Sequence, residues 1–247
     1  MRRLVVSDWH VIDGRQAEPC DRELVRRFVA EAVALGVSEV ILAGDIIDIT
    51  RGGSGCIPAA AQFLGQAVGV PLGAAGIYCS YVFGNHDWTG GQAPVISHAI
   101  YAAGFRPELF RCSTGPEFRG PWQIEHGHRF DCWNRGGWLT HLARAATRID
   151  GEADRVGVEL EVLSPVDWHP GMQIPELDLP THQQANRWAA ATGQHLVIGH
   201  SHACGDVSGW RGKQWRVLNP GAMVKGEPYS YVWITDEGDG GLGGECV

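Results

Sequence analysis

Five short groups of acid, amide and imidazole side chains recur along the chain, each at the end of an apolar run. They are Asp8-Trp9-His10, Gly44-Asp45-Ile46-Ile47-Asp48, Gly84-Asn85-His86-Asp87, His126-Gly127 and Gly199-His200-Ser201-His202. Oxygen donors mixed with imidazoles suit divalent transition-metal ions, and enough of them are present for two. A cation pair held in this way activates water and clamps a phosphate, so metal-assisted hydrolysis is the expected chemistry.

Each group alone is a modest signal. Asp8 and His10 stand two apart, so they point to one side of a strand and can converge on one cation just past its end. Asp45 follows the second run, where a carboxylate could bridge two cations, although Gly-Asp-x-x-Asp suits a turn equally well. Asn85 offers a neutral oxygen, with His86 and Asp87 next to it. His200 and His202 repeat the two-residue spacing and can turn both rings to one side of a loop. The coincidence is what counts: every expected strand end carries a possible ligand, and open α/β sheets gather their sites beyond the carboxyl ends of strands.

The elements that would position these groups are legible as periodicity. Leu4-Val5-Val6 and Val40-Ile41-Leu42-Ala43 read as buried strands, with a helix between them on Leu24, Val25, Phe28, Val29, Ala32 and Leu35, capped by Asp21 and stopped by Gly36,. The spacing predicts further helices near 59–68, 94–103 and 181–191, and strands over 77–83, 122–125 and 195–198. Three strand-like runs follow at 206–210, 214–218 and 230–234; without helices between them, they are expected to pair antiparallel in a second sheet. The rhythm changes over about 131–180, which we read as an inserted cap that selects substrate. The glycine-rich end, 238–244, reads as a loose tail.

Of the 247 residues 44% are hydrophobic and 19% charged, which suits one α/β domain spanning 1–247,. A formal net charge of -8 and no visible basic stripe argue against broad attraction to nucleic acid or anionic membrane,. The apolar run behind Arg2 and Arg3 is too short for a signal-peptide core, and no window approaches the length that spans a bilayer. A cytoplasmic protein without a transmembrane segment is expected. Seven cysteines, an odd number with no Cys-x-x-Cys pair, suggest reduced thiols,. Cys204, close behind His202, is left out of the ligand set.

Taken in order, the five groups resemble the calcineurin-like metallophosphoesterase family of binuclear, metal-dependent phosphoesterases, with matching elements from about Leu4 to Ile234. The resemblance implies a four-layer α/β/β/α sandwich of two mixed sheets flanked by helices. It implies one metal on Asp8, His10, Asp45 and His202 and a second on Asp45, Asn85, His126 and His200, with Asp45 bridging. His86 would be the non-ligating catalytic histidine, Asp87 would orient its imidazole, and Asp48 would support the ligands from behind. Manganese is the first choice of cation, with iron, zinc or nickel as others, and a bridging hydroxide would attack phosphorus in line.

Around that set, Arg51 could bind a phosphate oxygen through its guanidinium fork. His128 competes with His126 for one ligand role and otherwise lines the pocket, as Arg129, Asp131 and Asn134 could. Trp9, Trp88 and Trp133 lie beside the motifs, where an indole could stack on a base or sugar, but read mainly as core, and histidines 98, 141, 169, 182 and 195 read as surface or packed residues. The insert resembles the helical cap of UDP-diacylglucosamine hydrolases in length and order. Many of those enzymes carry Arg where this chain has His86, however, and Arg144, Arg148 and several acids in the insert weaken a lipid substrate. The leading expectation is a hydrolase of a small or medium phosphorylated molecule, whether monoester, diester or nucleotide pyrophosphate. Two alternatives are a non-catalytic scaffold of the same fold and a manganese-dependent nuclease.

Overall fold

The structure, a computed structural model, describes residues 1–14, 18–87, 91–131, 180–208 and 214–245. Apolar residues alternate between the two faces of each central strand, and this builds two cores from one run. In β1 (Arg2–Val6), Leu4 and Val6 join one cluster while Val5 joins another; in β2 (Glu39–Ala43), Val40 and Leu42 part from Ile41 and Ala43 in the same way,. β3 (Tyr78–Val82) and β4 (Phe110–Ser113) continue this sheet in parallel, whereas β5 (Glu117–Arg119) runs antiparallel to β6 (Trp122–Glu125) in a second sheet. β7 (His195–Ile198) and β9 (Val217–Asn219) lie parallel to β6, and the short β8 (Gly205–Asp206) closes that sheet antiparallel to β9. β10 (Ser230–Thr235) returns to the first sheet, antiparallel to β1, with β11 (Gly240–Gly244) at its edge.

Both sheets are therefore mixed, in the orders β11-β10-β1-β2-β3-β4 and β5-β6-β7-β9-β8. Val5, Ile41, Val82, Val232 and Ile234 of the first pack on Trp122, Ile124, Val197 and Leu218 of the second. Helices cover the outer faces. α1 (Arg22–Leu35) begins where Asp21 accepts the N–H groups of Glu23 and Leu24 and ends at Gly36, whose φ of 58° suits glycine,. After the short α2 (Ile49–Gly52) come α3 (Ile57–Leu64), a π-turn over Gly65–Gly69, α4 (Val70–Ala74) and α5 (Ala93–Ala102). The π-turn precedes Pro71, which has no N–H to continue an α-helical ladder. α6 (Pro180–Thr192) covers the second sheet through Ala185 and Ala189 on Leu196 and Ile198. The architecture is the expected α/β/β/α sandwich.

Four expectations need correction. The final runs do not share one sheet: β10 leaves for the first, where Leu4 faces Trp233 and Val5 faces Val232. The glycine-rich end is a strand and not a loose tail, because a Cβ on Gly241 would press on the Trp233 ring and one on Gly243 on the Tyr231 ring. Glycine here makes room for neighbouring aromatics. One stretch, Ser54–Ala74, is long and apolar enough by length and composition to cross a membrane, yet 61% of its apolar 18-residue window is buried inside the fold. Finally, Cys20, Cys56, Cys79 and Cys112 are free thiols, but Cys204 is disulfide-bonded. The expected cap over 131–180 lies outside the described residues except at its two ends.

Candidate metal centre

β1, β2 and β3 run parallel and end at one edge, so the loops behind them are neighbours. Backbone bonds join the first two loops: Asp8 N–H donates to Gly44 O at 3.0 Å, His10 N–H to Asp45 O at 2.9 Å, and Asp48 N–H to Val11 O at 3.0 Å. β6 and β7 bring His126 and the His200-Ser201-His202 loop to the same edge from the second sheet, and Gly199 N–H donates to His126 O at 2.9 Å. Among the described residues, five non-glycine positions have positive φ: Asp8 (56°), His10 (50°), Asp45 (53°), His200 (70°) and His202 (55°). All are candidate ligands. Left-handed backbone is unfavourable for L-residues, and its concentration here marks a site whose side chains are aimed by the surrounding structure. Glycines allow the close approach: a Cβ on Gly44 would meet the His126 ring, one on Gly84 the Asp45 carboxylate, and one on Gly199 both Ser7 and Asp8.

The candidates form two adjoining groups. In one, Asp8 Oδ1 lies 3.4 Å from His202 Nε2 and 3.9 Å from His10 Nε2, and the two Nε2 atoms are 3.1 Å apart. In the other, His126 Nε2 lies 3.0 Å from Asp45 Oδ2 and 3.0 Å from Asn85 Oδ1, with a ring nitrogen of His200 within 4.8 Å of the Asp45 and His126 ligand atoms. The Ser7 hydroxyl and the His200 N–H, at 2.9 Å, both donate to Asp8 Oδ2. Oδ1 of this wholly buried carboxylate accepts no hydrogen bond. A buried anionic oxygen so placed calls for a positive partner, and a cation among the imidazole nitrogens provides one. The residues present fit a metal.

The back of each ring is also fixed. His10 Nδ1 lies 3.1 Å from Asp48 Oδ2, and His126 Nδ1 lies 3.1 Å from the Ala43 carbonyl. When the ring is neutral, an N–H donating at those points leaves the Nε2 lone pair facing the group, ready for a cation. Burial would raise the pKa of Asp8, but His126 and His202 outweigh it and lower the value to about 2. Asp45 is likewise held well below the usual carboxylate range despite burial, mainly by His126 and His86. Burial lowers His126, yet Asp45 and Asp8 win and push it up to about 9. Without a cation, a proton on His126 balances the carboxylates.

His86 stands beside this assembly, its ring 5.0 Å from that of His10 and perpendicular to it. Its orienting carboxylate is Asp48 and not Asp87: His86 Nδ1 is 3.0 Å from Asp48 Oδ1. Asp87 instead accepts the N–H groups of Asp45 and Ile47 at 2.7 Å, that of Gly84 at 2.9 Å and the Tyr81 hydroxyl at 2.6 Å, tying the second and third loops together. Adjacent residues on a turn diverge, which is why sequence neighbourhood misleads here. Burial and the Asp45 charge push Asp87 up to about 7. Asp48 stays well below the ordinary range in spite of its burial, because His86 and His10 face its two oxygens.

Residues 1–238 match the model of the calcineurin-like phosphoesterase superfamily domain. The chain belongs to that superfamily. No curated protein matches it. One solved structure aligns over 98% of this chain and 98% of its own at 13% identity, with a TM-score of 0.50, and shares the fold. Another, a dimetal phosphatase from Danio rerio, aligns over 99% of this chain and 95% of its own at 15% identity and a TM-score of 0.49.

Several other residues of this calcineurin-like domain frame the centre. Arg51 sits on α2 one turn beyond Asp48, whose Oδ1 accepts the Arg51 N–H at 2.9 Å. His128 lies on a 3-10 turn with its ring 5.6 Å from that of His126. Trp9 is core, against Phe28, while Trp88, Trp133, Asn134, Arg144, Arg148, His141 and His169 lie outside the described residues. Sequence reasoning missed Ser7, Tyr81 and Asn219. The Asn219 amide donates to the Ser201 hydroxyl at 2.8 Å and to Gly199 O at 3.3 Å, bracing the loop that carries His200 and His202. His182, read as surface or packed core, is wholly buried, and its Nε2 lies 2.7 Å from the same hydroxyl. The Asn-Pro-Gly turn at 219–221 was the one available sequence signal for that brace.

Proposed function

We propose that this superfamily member hydrolyses phosphate esters of small or medium molecules with two divalent cations. Asp8, His10, Asp45 and His202 hold the first in this reading, and Asp45, Asn85, His126 and His200 the second. The observation that carries it is the pair of adjoining groups, one containing a wholly buried carboxylate oxygen without a hydrogen bond. Bound there, the cations supply positive charge to a phosphoryl group and acidify water, and the oxygen and imidazole donors suit manganese first, with iron, zinc or nickel as others.

The protein's own groups do the rest. With Nδ1 of His86 on Asp48, Nε2 is the ring atom that would bond a phosphoryl oxygen or protonate the leaving oxygen, and the Asp48 charge stabilises the imidazolium that supplies that proton,. Arg51 presents a guanidinium fork to a non-bridging oxygen, and His128 lines the approach. The test is turnover of p-nitrophenyl phosphate and bis-p-nitrophenyl phosphate after manganese reconstitution. We expect hydrolysis of at least one, and in His86→Ala unchanged metal content with kcat lower by about 10²–10⁴-fold. Two bound ions with no turnover would indicate a scaffold, and cleavage of single-stranded DNA a nuclease.

A further inference from the structure

His10 and His126 each have one ring nitrogen tied to an oxygen and the other turned toward the candidate metal centre. His200 meets its oxygen through Nε2, where the other two rings use Nδ1. Its Nε2 lies 3.0 Å from Asp131 Oδ2, and both side chains are largely withdrawn from solvent, 5% and 14% exposed. We propose that Asp131 is a positioning residue for the second cation: by accepting the Nε2–H of His200 it presents that ring's Nδ1 to the metal. This rests on the two-cation reading above.

The carboxylate is built into place. Behind His126, Gly127 turns the chain at a φ of 101°, and a 3-10 turn over His128–Phe130 follows, with Phe130 N–H on Gly127 O at 2.9 Å and Asp131 N–H on His128 O at 3.2 Å. Phe130 is anchored in the core beneath α6, and Arg129 pairs with the buried Glu125 at 2.5 Å. One short hydrogen-bonded segment therefore carries the His126 ligand and, five positions on, the oxygen beside the His200 ring. Among the described residues, the ligand atoms of Asp45, His126 and His200 lie within 4.8 Å of one another, and Asp131 is not one of that group. A carboxylate behind a ligating imidazole fixes the tautomer and raises its basicity, and losing such a partner typically weakens metal binding by about 10–100-fold.

The experiment is manganese titration of metal-free wild type, Asp131→Ala and Asp131→Asn by calorimetry, with electron paramagnetic resonance to separate spin-coupled pairs from single ions. We expect wild type to bind two ions, with a coupled signal. Asp131→Ala should keep first-site affinity, lose about 10–100-fold at the second, and show the uncoupled signal at manganese levels that fill wild type. Asp131→Asn retains an oxygen acceptor without its charge and should fall between; if the alanine variant does not fold, this variant decides. Variants that match a two-ion wild type at both sites overturn the role of Asp131 alone. A wild type that takes up fewer than two ions overturns the metal reading together with it.

Discussion

Asp48 carries more of this centre than any motif-based role would assign it. One oxygen receives the His86 ring and the other the His10 ring, while Oδ1 also accepts the Arg51 N–H that starts α2. A candidate ligand and a candidate acid are thus oriented by a single carboxylate. An amide cannot copy this, because it has one oxygen to accept and an NH₂ that donates, so one ring must reverse its tautomer. In Asp48→Asn we expect kcat to fall by about 10²-fold or more and first-site metal affinity by about 10-fold or more. Kinetics alongside metal titration check this: a variant that behaves like His86→Ala, slow but fully metallated, would mean that Asp48 does not support His10.

At the scale of elements, strand direction and register decide which loops meet. Parallel pairing of Val6 with Leu42 and Ala43 with Val82 sets the ends of β1, β2 and β3 side by side, and Glu125 opposite Ile198 does the same for β6 and β7. At the other edge of the sandwich, Glu39 of β2 binds Arg3 of β1 at 2.9 Å and Arg119 of β5 at 2.5 Å, clamping the two sheets. β11 contributes to the sheet without touching the chemistry. Gly243→Ala would place a methyl group on the Tyr231 ring, so overpacking should cost about 1–3 kcal/mol and lower the melting temperature, with activity per folded molecule unchanged. A melting curve indistinguishable from wild type would show that the edge strand tolerates a side chain there.

Across the whole molecule, protons and cations compete for the same buried charge. His126 titrates at about 9 in the metal-free protein because Asp45 and Asp8 outweigh the effect of burial. The unfolded-state value is about 6.5. A folded-state pKa raised in this way contributes stability that is complete below pH 6.5 and is lost as pH climbs through about 9. Metal binding needs the neutral ring, so affinity should rise over the same interval and each second-site ion should displace a proton. Melting in chelator from pH 6 to 10, with calorimetry in buffers of different ionisation heats, checks both signs. A flat melting profile and no proton release would mean that His126 is already neutral.

The residue types and their order were readable without coordinates, because metal chemistry limits the donors to a few side chains and strand ends limit where those donors occur. Asp8, His10 and His202 lie together, as do Asp45, Asn85, His126 and His200, and α1 runs between the Asp21 cap and the Gly36 stop expected of it. Contacts between segments far apart in the chain were a different matter. His86 lies next to Asp87 in sequence but pairs with Asp48, 38 positions away, since parallel β2 and β3 place their loops together. The same holds for Asp131 behind His200, His182 on Ser201, and the glycines of β11 under the Tyr231 and Trp233 rings. Local pattern records what each residue can do; which partner it meets depends on sheet order and packing, and these exist only once the chain has folded.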